Sequence, residues 1–184
     1  MKKGLSTGAK SVIVLTVICL VVTALLALTN HITSPIIAET RTQRIADSLK
    51  SVLPDSGDYK EIEFDENELP ATVKNVYYFD KDGSYAVVLA TKSAYSSGDM
   101  GITVGIDNAG KIADINITSY MESKDFGKET YPAGFKGMDA NTAADAEVYS
   151  GVTYSSKAFK KALADAFEAV ELAKLKLAGQ GGAE

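Results

Sequence analysis

The stretch "SVIVLTVICLVVTALLALTNHIT", from Ser11 to Thr33, constrains this chain more than any other. Its core, Val12 to Leu28, is interrupted only by Thr16, Cys19 and Thr23. A helix of about 20 apolar residues crosses a hydrocarbon layer of about 30 Å. Threonine hydroxyls bond back to the preceding turn, so they do not forbid insertion. The competing reading is a cleaved signal peptide, whose apolar region is usually about 7–15 residues and ends at a small-x-small site. The run here is longer, and Ala27-Leu28-Thr29 matches such a site poorly, so a retained anchor is expected. Lys2, Lys3 and Lys10 precede the run, and no Lys or Arg follows until Arg41. The positive-inside rule then places the N-terminus in the cytoplasm and the body outside it.

The formal net charge is −5; the first 33 residues carry three lysines and no acid, so the rest of the chain carries −8. An acidic body argues against nucleic acid, whose phosphates demand a basic face. The single cysteine, Cys19, lies in the apolar run, which excludes an intrachain disulfide and a cysteine metal cluster. The single histidine, His31, sits just past that run. A nucleophilic triad would have to use it at the membrane surface, and an interfacial polar residue is the simpler reading. No catalytic side chain and no metal site is assigned.

The expected fold class is α+β: one N-terminal transmembrane helix, then an antiparallel-sheet domain with flanking helices. The expected divisions are a cytoplasmic stub (1–10), the span (11–33), a stalk helix (34–54), an extracytoplasmic domain (55–178) and a flexible tail (179–184). Pro35 suits the first turn of the stalk helix. Ile37, Ile45, Leu49 and Val52 form its apolar stripe, and Pro54 closes it. A short strand is expected around Ile62. "TVKNVYYF" and "SYAVVLATK" flank Asp80-Lys81-Asp82-Gly83, a hairpin signal, and "MGITVGID" and "KIADINITS" flank Asn108-Ala109-Gly110, a second one. These four strands predict an antiparallel meander with one buried face and a bulge near Ala113. Asp80-Lys81-Asp82-Gly83 lacks the further ligands of a calcium loop and is read as a turn. Asn116-Ile117-Thr118 fits a glycosylation pattern but falls inside a predicted strand, and is read as chance. From Tyr120 to Gly151 a long irregular stretch is expected, and such stretches tend to be functional. Ser155 or Ser156 then caps a final helix with Phe159, Leu163, Phe167 and Val170 on one face. Gly179 is expected to end it.

At the start of that helix stands Ser150-Gly151-Val152-Thr153-Tyr154-Ser155-Ser156. The first turn of a helix offers N–H groups without intrahelical partners and a partial positive charge, a ready site for phosphate. Gly151 lets the backbone turn sharply beside a ligand. A Ser/Thr-rich N-cap explains the same residues without any ligand.

The heptapeptide resembles the flavinylation motif of the FMN-binding domain family, usually written Ser/Thr-Gly-Ala-Thr-x-Ser/Thr. "SSGDMGITVGIDNAGKIADINITSYMESKDFG" resembles the family's central block, a glycine-containing lead and two strands around a turn, followed by a Glu-Thr-Pro-Gly-Leu-Gly loop. Glu122-Ser123-Lys124-Asp125-Phe126-Gly127 occupies that loop position, and Gly134–Gly137 resembles the Phe-x-Gly segment after it. Within the family the layout resembles the G subunit of the Rnf complex, a ferredoxin:NAD oxidoreductase that couples electron transfer to ion pumping. The C subunit of the sodium-pumping NADH:quinone reductase is its close relative.

The resemblance implies FMN bound covalently through its phosphate to the Thr153 hydroxyl. It implies a flavin transferase, working from FAD with magnesium, as maturation partner, and other membrane subunits as partners in electron relay. Ser150, Gly151, Val152, Tyr154, Ser155, Ser156, Glu122, Ser123 and Phe126 are the remaining candidate binding residues. Tyr120, Phe126 and Tyr154 are candidates to pack on the flavin ring. Val152 departs from the family's alanine, and the loop keeps only Glu122 and Gly127 of its usual pattern. The alternatives are the corresponding quinone reductase subunit, a non-redox membrane-anchored binding module, and a stand-alone flavoprotein of extracellular electron transfer.

Overall fold

The structure is a computed structural model that describes residues 7–65, 67–92, 98–120, 127 and 129–180. The chain divides into two compact units, Met1–Arg44 and Ile45–Glu184.

The first unit holds most of helix α1 (Thr7–Val52). Its large apolar residues from Val12 to Leu28 are all exposed, Leu15 by 64% and Leu26 by 66%. A helix that is apolar all round and buries none of it against its own chain has the surface that a bilayer covers. Thr16, Thr23 and Thr29 donate their hydroxyls to the carbonyls of Val12, Cys19 and Leu25 at 2.9, 2.7 and 2.9 Å, as expected of threonine in such a helix. The break expected at Pro35 is absent, because α1 runs through it without interruption. Proline removes one backbone donor there, a loss that helices of this kind tolerate. Pro54 lies just beyond the end of α1, where it cannot continue the helix.

The second unit is built on a five-stranded antiparallel meander: β1 (Tyr59–Glu61), β2 (Val73–Phe79), β3 (Ser84–Lys92), β4 (Asp99–Ile106) and β5 (Ile112–Ser119), paired in chain order. Gly83 (φ +71°) and Gly110 (φ +75°) make the two expected hairpin turns. The bulge falls at Ala113, since Gly105 pairs with Asp114 and Ile106 with Ile112. The stretch expected to be irregular contains two short helices, α2 (Thr130–Ala133) and α3 (Ala140–Asp145). The last helix, α4, runs from Thr153 to Gln180 and passes through Gly179, which does not end it.

The sheet was expected to bury one face and buries two. On one face, Tyr85, Val87, Leu89, Ile102, Val104 and Ile106 pack with Phe159, Leu163 and Val170 of α4. On the other, Tyr77, Phe79 and Ala86 pack with Leu49, Val52 and Leu53. Small residues on β4 open the second face. A Cβ on Gly105 would stand 2.9 Å from the Val52 carbonyl oxygen and 3.0 Å from Leu53 Cγ. Thr103, fully buried, donates to the Ser48 hydroxyl at 3.1 Å, and Asn116 donates to the Ser51 hydroxyl at 2.7 Å. The β2–β3 turn is tied in by Asp82, which accepts from the hydroxyls of Ser56 (2.6 Å) and Ser84 (2.5 Å). Desolvation works against its ionisation, but these hydroxyls and the Ser84 N–H hold its carboxyl below the ordinary value.

Gly105→Ala forces Val52 and Leu53 off β4, at about 1–3 kcal/mol for an overpacked site. The unfolding midpoint of the detergent-solubilised chain is expected to fall. Gly179→Ala, where an added Cβ meets nothing within 4 Å, serves as the control that does not fall. Equal midpoints for the two variants would contradict the close approach.

Candidate functional site

The structure turns the residues of Ser150–Ser156 in two directions, some outward and some into the core. Gly151 has φ +84°, and the Val152 N–H donates back to the Tyr149 carbonyl at 3.4 Å, closing a tight turn. The first helical hydrogen bond of α4 runs from the Ser156 N–H to the Val152 carbonyl at 3.1 Å. The N–H groups ahead of Ser156 therefore point out of the helix start, outside its own ladder of hydrogen bonds.

Capping by Ser155 or Ser156 is not what the structure has, because the helix begins ahead of both. Ser155 is 3% exposed and Ser156 fully buried, and the Ser156 hydroxyl donates to the Val152 carbonyl at 2.9 Å. Serine makes this back-bond readily once inside a helix. The Ser156 hydroxyl proton is thereby committed to the Val152 carbonyl. Val152 is half-buried and packs on the core under α4. Ser150, Gly151, Thr153 and Tyr154 face outward, Tyr154 by 60%. Among the described residues the Thr153 hydroxyl makes no hydrogen bond, and nothing lies within 4 Å of a Cβ placed on Gly151.

Glu122, Ser123 and Phe126 lie outside the described residues, but both ends of their loop are described. Tyr120, at one end, is half-buried against the main core. Gly127, at the other, has φ +69°, and a Cβ there would stand 2.7 Å from Thr130 Oγ1 and 3.3 Å from Tyr149 Cε2. The end of the loop thus rests under Tyr149, four residues ahead of Thr153. Sequence reasoning missed the group that makes this arrangement. The Tyr131 ring lies 5.1 Å from Phe135, 5.5 Å from Tyr149 and 5.6 Å from Phe159, all tilted or edge-on. Tyr131 also donates its hydroxyl to the Glu147 carbonyl at 2.8 Å, and burial raises that hydroxyl's pKa. The signal present in the sequence was the four-residue spacing of Tyr131 and Phe135.

The approach to the turn is held as well. Asp139 and Thr142 form a reciprocal capping box on α3, with the Thr142 N–H 2.9 Å from Asp139 Oδ1. Hydrogen bonds from the Thr142 backbone and then its hydroxyl lower the Asp139 pKa. Lys160 of α4 reaches back to the Ala144 carbonyl at 2.9 Å and to that of Ala146.

These pieces fall inside one recognisable unit. Residues 96–168 match the family model of the FMN-binding domain. Residues 1–52 match that of the RnfG N-terminal region. The chain carries an FMN-binding domain behind an RnfG-type N-terminal region. It is also 24% identical, over 171 residues, to the G subunit of the proton-translocating ferredoxin:NAD(+) oxidoreductase complex of Clostridium ljungdahlii. That alignment covers 85% of this chain and 88% of the relative. The matched segment of the FMN-binding domain takes in β4, β5, the Glu122–Gly127 stretch, the turn before Thr153 and the first half of α4. FMN fits these residues: an outward hydroxyl, an open glycine turn and a helix start suited to phosphate lie together.

Because only the backbone conformation restricts Gly151, its substitutions should rank by tolerance of positive φ. Gly151→Asn is expected to unfold close to the wild-type denaturant midpoint, and Gly151→Val to lose about 1–2 kcal/mol. Equal midpoints would argue against the left-handed turn.

Proposed function

We propose that this chain is a membrane-anchored electron carrier that holds FMN through a phosphoester bond at Thr153, within an Rnf-type ferredoxin:NAD oxidoreductase complex. The observation that carries this reading is the Thr153 hydroxyl: exposed, without a hydrogen-bond partner among the described residues, and at a helix start inside the FMN-binding domain. The name of the Clostridium relative, which assigns it to a ferredoxin:NAD(+) oxidoreductase complex, favours this assembly over a quinone reductase.

FMN, when bound, supplies the redox chemistry, and the protein supplies position, exposure and electrostatics. In the attachment step the Thr153 oxygen takes the FMN phosphoryl group from FAD, AMP leaves and the hydroxyl proton is released. A separate flavin transferase with magnesium would perform it. The resulting diester keeps one negative charge, which the dipole at the start of α4 favours. Gly151 leaves room beside the phosphate. The inward Val152 fixes the turn from the core side, so its extra bulk over alanine is absorbed away from the attachment point. Electron relay asks for no acid–base side chain, and among the described residues no cluster of His, Cys, Asp or Glu suited to a metal is present. The N-terminal lysines favour an FMN-binding domain on the extracytoplasmic side.

Thr153→Ala, purified from a host that has the transferase, is expected to lose all in-gel flavin fluorescence after denaturation while the protein is retained. Fluorescence that persists in this variant would refute attachment at Thr153, and a colourless wild type from the same host would favour the non-redox module. Orientation is checked by a C-terminal alkaline phosphatase fusion, which is expected to be active; an inactive phosphatase beside an active cytoplasmic reporter would reverse the topology.

A further inference from the structure

The seven residues between α3 and α4, Ala146 to Val152, carry the turn that precedes Thr153, and side chains from elsewhere hold them. Tyr131, from α2, donates its hydroxyl to the Glu147 carbonyl at 2.8 Å. Lys160, from the second turn of α4, donates its ammonium to the Ala144 carbonyl at 2.9 Å and to that of Ala146. Two carbonyls of this stretch, and one at the end of α3, are thus satisfied from two sides. The Tyr131 N–H also donates to the Gly127 carbonyl at 2.7 Å, and the Tyr131 ring lies 5.5 Å from Tyr149. The residue that holds the approach to Thr153 therefore also holds the end of the Glu122–Gly127 loop.

We propose that Tyr131 and Lys160 are positioning residues, a two-point clamp that sets where the turn before Thr153 stands relative to Gly127 and so fixes the orientation of the attached flavin. Neither acts on the flavin directly. Tyr131 works through Glu147 and Tyr149, and Lys160 works through the end of α3. The part of the proposal that concerns the flavin rests on the reading of Thr153, and the part that concerns the turn does not.

The test has two arms. The first uses full-length Thr153→Ala protein, which carries no attached flavin, and measures amide hydrogen exchange. Added Tyr131→Phe keeps the ring and removes one neutral hydrogen bond, so exchange in residues 147–153 is expected to rise about fivefold. Added Lys160→Met removes charged donors, and a rise of about tenfold or more is expected. Exchange in β3 and β4 should stay unchanged, which separates release of the turn from unfolding. If Lys160→Met unfolds the domain, Tyr131→Phe alone decides.

The second arm uses Thr153 intact and flavin-loaded. Both variants should keep the covalent flavin on a denaturing gel yet lose at least half of its visible circular dichroism, together with a fall in fluorescence anisotropy. A merely structural tyrosine would leave both signals at their wild-type values. Unchanged exchange in residues 147–153, or raised exchange with unchanged flavin signals, overturns the clamp as a positioning device. Raised exchange in variants of a chain whose wild type bears no flavin refutes the attachment reading and, with it, the positioning role, while leaving the clamp on the turn.

Discussion

The site depends on how closely α4 can lie on the sheet. Ala162, Ala166, Ala169 and Ala173 expose no surface, and they interleave with Phe159, Leu163 and Val170 on the same buried side. Alanine at these positions lets the helix backbone approach the strands, while the larger side chains fill the space between. Thr72 donates to the carboxylate of Asp165 at 2.6 Å, which sets the helix along its axis, and Lys161 of the same helix pairs with that carboxylate. A helix seated in this way has a fixed N-terminus, and the residues just before it need only be folded back onto that point.

They are folded back by local chemistry of another kind. Apolar burial positions α4, whereas the segment ahead of it is positioned by hydrogen bonds to single carbonyls and by one aromatic cluster. The division follows from composition. "NTAADAEVYSG" has few large apolar residues, so it cannot hold itself by burial. Its first half is held by the capping box of α3, and its second half by groups that reach it from α2 and α4. The two inputs meet at Val152, whose side chain belongs to the core while its neighbours on both sides face outward.

Much of this was legible in the sequence. The apolar run, the four main strands, both hairpin turns and the bulge at Ala113 follow from hydrophobic period and turn residues, which are local signals. So does the Phe159–Val170 face of the last helix. The second buried face of the sheet was not legible, because it depends on Leu49, Val52 and Leu53 meeting Gly105 and Thr103, residues far away along the chain. The start of α4 was misjudged because serines that cap helices also bond back to the preceding turn, and only burial separates the two. At the candidate site the sequence points to Thr153 through its motif, but not to Tyr131 or Lys160. Their partners are backbone carbonyls, which carry no mark in the sequence.

The contact between Gly127 and Tyr149 reaches beyond this one chain. The Thr130 hydroxyl stands where a side chain at 127 would begin, and the edge of the tyrosine ring crowds the same point. A residue other than glycine at 127 must accept a positive φ, turn the Thr130 hydroxyl aside and move the Tyr149 ring by a few tenths of an ångström. Replacement of Gly127 should therefore be easier where position 130 is small and position 149 can shift, which ties variation at 127 to the start of α2 and to the turn before Thr153.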